Sequence, residues 1–197
     1  MGRELIKLQW QIDAKQYAEI SEIYVSTGNA AKKMKDLFTR IVPLISQAVK
    51  NHFVSQRGYS GAWQKLSPAY ASWKNENYLG RLILQLRRNL INASTQKGAF
   101  GNITEISNKS FEYGVDLRKI PYARVHDMGG RAGRGKRSQM PKREFMFLDK
   151  KEADKVGHEA ARFVWDENVS ARGAVGGTLP WGGLAGGVSQ LSRIIGI

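Results

Sequence analysis

The residues best suited to chemistry are His126 and Asp127, neighbours in a constrained stretch just ahead of Gly129-Gly130. An imidazole beside a carboxylate is the beginning of a metal-dependent nuclease site, which needs further carboxylates or histidines to converge on the same ion. The sequence nominates none, since His52 and His158 are distant in the chain. The plainer reading makes His126 a hydrogen-bonded turn residue and His52 a side chain on a helix flank. Other chemistries lack their parts. There is no cysteine, which removes disulfides and thiolate metal sites. Gly129 to Lys136 is glycine-rich but has neither the lysine–hydroxyl pair nor the strand-to-helix setting of a phosphate-binding loop. A Gly-x-Ser-x-Gly motif is absent too. The expectation is a protein that is not an enzyme, with no catalytic residue, metal, cofactor or small-molecule substrate.

The second chemical group is charge. No acidic residue falls between Arg131 and Arg143, while Arg131, Arg134, Lys136, Arg137, Lys142 and Arg143 are all cationic. Such a stretch cannot pack on its own charge, so a long basic loop is expected to project into water or against something anionic. Arginine and lysine there suit phosphate contacts, which hold nucleic acid without reading its sequence; the alternative is an acidic face of a neighbouring protein. A net charge of +14 over 197 residues points the same way. It implies nucleic acid, a membrane face or an acidic protein as partner, against the bland reading of a merely soluble basic surface. No apolar run is long enough to cross a bilayer, and Arg3, Glu4 and Lys7 interrupt any signal peptide, so no membrane is expected. Trp63, Leu66, Tyr70 and Trp73 form an aromatic cluster, suited to stacking on bases or, more simply, to core or subunit-interface packing.

These residues need elements to position them. Pro121 fixes its own φ and drives Ile120 into an extended form. Tyr122 to His126 then reads as a short strand, Gly129-Gly130 as a turn, and Phe145 to Leu148 as the strand that returns from the loop. Upstream, Leu5 to Ile12 alternates as a half-buried strand, and Tyr17, Ile20, Ile23 and Tyr24 follow helical spacing. Met34, Leu37, Phe38, Ile41, Ile45, Ala48, Val49 and His52 share one face of a long helix, with a kink or a break into two helices expected near Thr39 because Pro43 lies inside. Ser67-Pro68 starts a helix, the serine hydroxyl accepting a first-turn bond. A short helix is expected over Leu82 to Ile91, and a hairpin from Phe100–Ser107 to Ser110–Leu117 about Asn108-Lys109. Asp149 with Glu152 forms a capping box for a last helix lined by Ala153, Val156, Ala160, Phe163 and Val164. From Gly173 onward paired glycines punctuate small and apolar residues. That composition suits an extended arm ordered on a neighbour, with Trp181, Leu191, Ile194 and Ile195 as its inter-subunit contacts.

The expected fold is α+β: a small, mostly antiparallel sheet of about four or five strands packed on a long amphipathic helix and further helices. Residues 1–28 would hold the N-terminal strand and short helix, 29–172 the core domain with a basic loop at 129–143, and 173–197 the glycine-rich arm.

Two blocks of sequence also carry a resemblance. One is Pro121-Tyr122-Ala123, His126 and Gly129-Gly130, followed after the loop by Pro141, Arg143, Phe145 and Leu148. The other is Phe53, Gln56, Gly58, Gly61, Trp63, Leu66-Ser67-Pro68, Tyr70-Ala71 and Lys74. In order and spacing they resemble the virion morphogenesis (tail-completion) family of tailed phages, the Mu-like group included, over residues 30–165. The chain departs from that pattern at Leu84 to Arg88, where a Thr-Gly pair is usual, and at Glu144, where proline is usual. The resemblance implies a structural virion protein of the neck, completing or terminating the tail or joining it to the head. It would form a ring, favoured as a hexamer, around the DNA path, binding connector, neck, tail-tube or sheath proteins, in a particle assembled in the bacterial cytoplasm. Two alternatives stand beside it: a free, non-sequence-specific nucleic-acid-binding protein, and a metal-dependent nuclease around His126 and Asp127.

Overall fold

Helix α1 (Met34–Ser55) buries Met34, Leu37, Phe38, Ile41, Ile45, Ala48, Val49, His52 and Phe53 at successive three- and four-residue steps. It belongs to a computed structural model that describes residues 5–10, 34–133, 135 and 138–172. The helix runs unbroken through Pro43, so the expected division in two is corrected. Pro43 and Thr39, whose carbonyl loses its usual donor, are both exposed, and the lost bond therefore falls where water can replace it. At the far end Gln56 takes a left-handed φ of 54°. Its side-chain amide donates to the Phe53 carbonyl and its side-chain oxygen accepts from the Ile83 amide at 2.8 Å. A Gln85 side chain donates to the same Phe53 carbonyl at 3.1 Å, so a helix end that would be orphaned is satisfied by two glutamines.

The fold class is α+β. Among the described residues the strands β1 (Leu5–Trp10), β2 (Arg57–Gly58), β3 (Gly61–Ala62), β4 (Asn102–Ile106), β5 (Phe111–Asp116), β6 (Gly130–Ala132) and β7 (Ser138–Met140) are shared among three small sheets: β1-β5-β4, β2-β3 and β6-β7. The other helices are α2 (Pro68–Asn77), α3 (Asn89–Thr95), α4 (Ala123–Met128) and α5 (Lys150–Arg172). None of the described helices is long and apolar enough to cross a membrane. The chain divides into two compact units interleaved in sequence, one built mainly from 46–104 and 112–147, the other from 34–45, 105–111 and 148–172. The expected boundary at 28–29 and the arm at 173–197 lie outside the described residues, as does the stretch from Tyr17 to Tyr24.

In the second unit, Phe38 of α1 stacks on Phe111 with ring centroids 5.6 Å apart. Ala153, Val156, Ala160 and Phe163 of α5 are buried, as their spacing predicts. The helix opens on a reciprocal capping box: the Asp149 amide donates to Glu152 Oε2 at 2.9 Å, and the Glu152 amide to Asp149 Oδ1 at 2.8 Å. The turn of the β4–β5 hairpin closes with Ser107 Oγ accepting from the amides of Lys109 and Ser110.

In the first unit, Tyr113 and Val115 of β5 are buried beside Ile103 of β4. The Tyr113 hydroxyl donates to the Ser94 carbonyl at 2.7 Å, and burial pushes its pKa up to about 12. Four local expectations are corrected here. Tyr122 to His126 is no strand: Ala123–Met128 is helical, because Pro121 presets a first helical turn as readily as an extended one, and the Ala123 amide closes that turn onto the Ile120 carbonyl at 3.0 Å. Phe145 to Leu148 is no strand: it carries no regular structure and bends at Met146, while Phe145 and Met146 are buried. Helix α3 begins at Asn89, not Leu82, since Leu84 and Arg88 take φ values of 61° and 60° that end any helix between them. Pro68 does sit in the first turn of α2, yet Ser67 serves it through its backbone carbonyl, 2.8 Å from the Ala71 amide, and not through its hydroxyl.

Candidate functional site

The basic segment is a hairpin, β6 paired antiparallel with β7 in the register Gly130↔Met140, Arg131↔Gln139, Ala132↔Ser138. Gly129 begins it with φ of 74°, and a Cβ there would lie 3.0 Å from the Lys142 backbone nitrogen. Only glycine allows the two arms so close at that φ. Arg131 is exposed, while Arg134, Lys136 and Arg137 lie outside the described residues. Of the two last cations Lys142 is exposed and Arg143 is not. Lys142 is bound to Glu144, Nζ to Oε1 at 2.6 Å, and that bond holds the carboxyl below its ordinary pKa. Arg143 is only 3% exposed. It donates through Nε and Nη2 to the Gln64 carbonyl at 3.2 and 3.0 Å, and through its amide to the His126 carbonyl at 2.8 Å. Arg143 is therefore corrected from an outward-facing cation to a residue that anchors the hairpin's base. A guanidinium with five donors on a short tether to the core finds carbonyls more readily than solvent.

The His126-Asp127 pair sits at the same base. Asp127 Oδ1 accepts from the amides of Phe145 and Met146 at 2.9 and 3.2 Å. Burial raises its pKa, partly offset by those amides. His126 turns its ring edge-on to Tyr122 at 6.0 Å, and its buried Nδ1 meets no hydrogen-bond partner among the described residues. Burial, then the charge of Arg143, lower its pKa. No group of three metal-ligating side chains occurs among the described residues. His52, on the apolar face of its helix, is buried, with Nδ1 3.0 Å from the Phe145 carbonyl and its ring stacked on Phe147 at 3.8 Å.

The aromatic cluster separates into two. Trp63 is core, edge-on to Phe53 at 5.7 Å, its Nε1 donating to the Glu144 carbonyl at 2.9 Å. A Cβ on Gly58 would come within 3.3 Å of that nitrogen, so the glycine makes room for the indole. Phe145 closes on Phe53 from another side at 5.3 Å. Tyr70 and Trp73 instead stack on each other at 5.4 Å on the exposed side of α2, about two-fifths exposed each. Ala123 is buried, Leu66, Gly129, Gly130, Pro141 and Leu148 are half-buried, and Ser67, Pro68, Pro121 and Tyr122 are exposed. Trp181, Leu191, Ile194 and Ile195 lie outside the described residues.

The two sequence blocks thus meet through side chains gripping main chain, Trp63 on Glu144 and Arg143 on Gln64, while Asp127 braces the later block internally on Phe145 and Met146. Gln85 is the buried residue that sequence reasoning missed; Gln56 and Lys74 enter it only as residues of the resemblance, and nothing in their polarity foretells the carbonyl-anchoring roles they take. No protein-family model, no curated protein and no solved structure matches this chain.

Proposed function

We propose that the chain is a structural protein of a tailed-phage neck, completing the tail or joining it to the head. Copies form a ring around the DNA path and bind the connector, neck or tail proteins on either side. The observation that carries this reading is the β6–β7 hairpin: a stretch with no acidic residue, its base fixed by Gly129 and Arg143 and Arg131 exposed on one arm. A charged projection on a firmly held base suits a protein that works by position, presenting cations to DNA in a lumen or to an acidic neighbouring ring. Several residues of the resemblance support it too: Phe53, Trp63 and Phe145 pack together, and Arg143 and Gly129 hold the base of the hairpin. The departure at Glu144 is compatible with it, because Trp63 uses only the main-chain oxygen there, which a proline supplies equally well.

Antibody labelling of intact particles tests the proposal. Label at the head–tail junction is expected; label over the capsid shell, or on no particle at all, overturns it. The exposed Tyr70–Trp73 stack favours one second reading, a free nucleic-acid-binding protein in which bases add to that stack. On that reading the purified chain binds single-stranded DNA alone and loses the binding in Trp73→Ala.

A further inference from the structure

Within the first unit lies a cavity of about 350 Å³, at the lower end of the size range of ligand pockets. Leu66, Ile83, Leu84, Leu86, Leu90 and Met140 supply the aliphatic part of its wall. The charged lining is one-sided: Lys74, Arg87, Arg88 and Arg143, with His126 beside them and no carboxylate. Two of these cations are nearly sealed off, Lys74 being 4% and Arg143 3% exposed. Their bonds go to neutral carbonyls, Lys74 Nζ to Leu82 at 2.6 Å and Arg143 to Gln64. Two like charges buried near one another without a counter-ion repel, and each carbonyl occupies only part of their donor capacity. Burial, and after it the charge of Arg143, lower the pKa of Lys74 and of His126.

Two independent features mark the same place. His126 Nδ1, at the wall, is buried with no partner among the described residues, a state that ordinarily has a reason. Three non-glycine residues among those described have positive φ, and two of them, Leu84 and Arg88, line this cavity. Backbone strain of this kind persists where the surroundings hold a functional shape.

We propose that the cavity binds a small organic anion, a carboxylate or phosphate monoester carried on an apolar body, with its charged head among Lys74, Arg143, His126 and the Arg87-Arg88 pair. The head supplies the missing counter-charge, and the body fills the leucine-lined volume. Tyr70 and Tyr122, also in the wall, give it aromatic edges. The site is independent of the virion reading and stands or falls without it.

The test is calorimetric titration of the full chain with phenyl phosphate, octanoate, inorganic phosphate and octanol. Saturable binding of phenyl phosphate, octanoate or both is expected, tighter than that of octanol or inorganic phosphate; which of the two binds identifies the head group. In the double variant Arg87→Gln/Arg88→Gln, whose side chains are exposed and whose folding should survive, affinity falls by about tenfold or more. Lys74→Met should lower it likewise, and in the wild type the His126 imidazole resonances shift on binding. Octanol binding as tightly as octanoate makes the cavity a merely apolar void and overturns the proposal. So does the lack of saturable binding by either organic anion, or an affinity unchanged in both variants.

Discussion

Asp127 is largely buried with one carboxylate oxygen shared by the amides of Phe145 and Met146. The work asked of it is acceptance, which an amide oxygen can also perform. Asp127→Asn is therefore expected to change stability by less than about 1 kcal/mol, whereas Asp127→Ala, which strands both amides, costs about 2–4 kcal/mol. Urea midpoints of the two variants check this; equal losses would show that charge, not acceptance, matters there. His126 gives the complementary prediction in pH. Its pKa is lowered by burial and by Arg143, so the unfolded chain takes up the proton first. The stability it contributes is present above the ordinary imidazole value of about 6.5 and is lost as pH falls from there through the lower folded value. The wild type should lose more stability between neutral and mildly acidic pH than His126→Gln, measured by urea unfolding at each pH.

At the scale of elements, each prediction concerns an end or a turn. Asp149→Ala removes one half of the capping box on α5 and should cost about 1 kcal/mol by thermal or urea unfolding, with Asp149→Ser recovering most of it. That box was legible because both its partners are polar side chains at a fixed spacing. So was the buried face of α1, whose apolar steps persist over many turns, and the β4–β5 hairpin, with its alternation of Phe111, Tyr113 and Val115. Tyr122 to His126 was not legible: five residues are too few to separate a period of two from one of 3.6. Leu82, Leu86 and Leu90 mimic a helical stripe, but Leu84 and Arg88 take positive φ, which no local pattern announces in residues other than glycine. Charge misled in the same way. Arg143 reads as a surface cation within the basic stretch, and only the tertiary fold supplies the carbonyls that hold it, and Lys74 likewise, inside.

For the whole molecule, the excess of positive charge is the property that reaches furthest. If the hairpin meets DNA, replacing Arg131, Arg134, Lys136 and Arg137 by glutamine should leave the unfolding midpoint nearly unchanged. It should also reduce the slope of log affinity against log salt by about 3–4. Gel shifts at several salt concentrations measure it, and an unchanged slope would assign the hairpin to a protein neighbour. The joint between the two sequence blocks has a different kind of reach. Trp63 and Arg143 each close on a main-chain oxygen, of Glu144 and of Gln64, and that atom is the same whatever residue carries it. The gripping side chains are thus constrained while the gripped positions can drift. Substitution at either gripped position leaves the clasp closed, so the letters beneath it are free to change while the joint keeps its form.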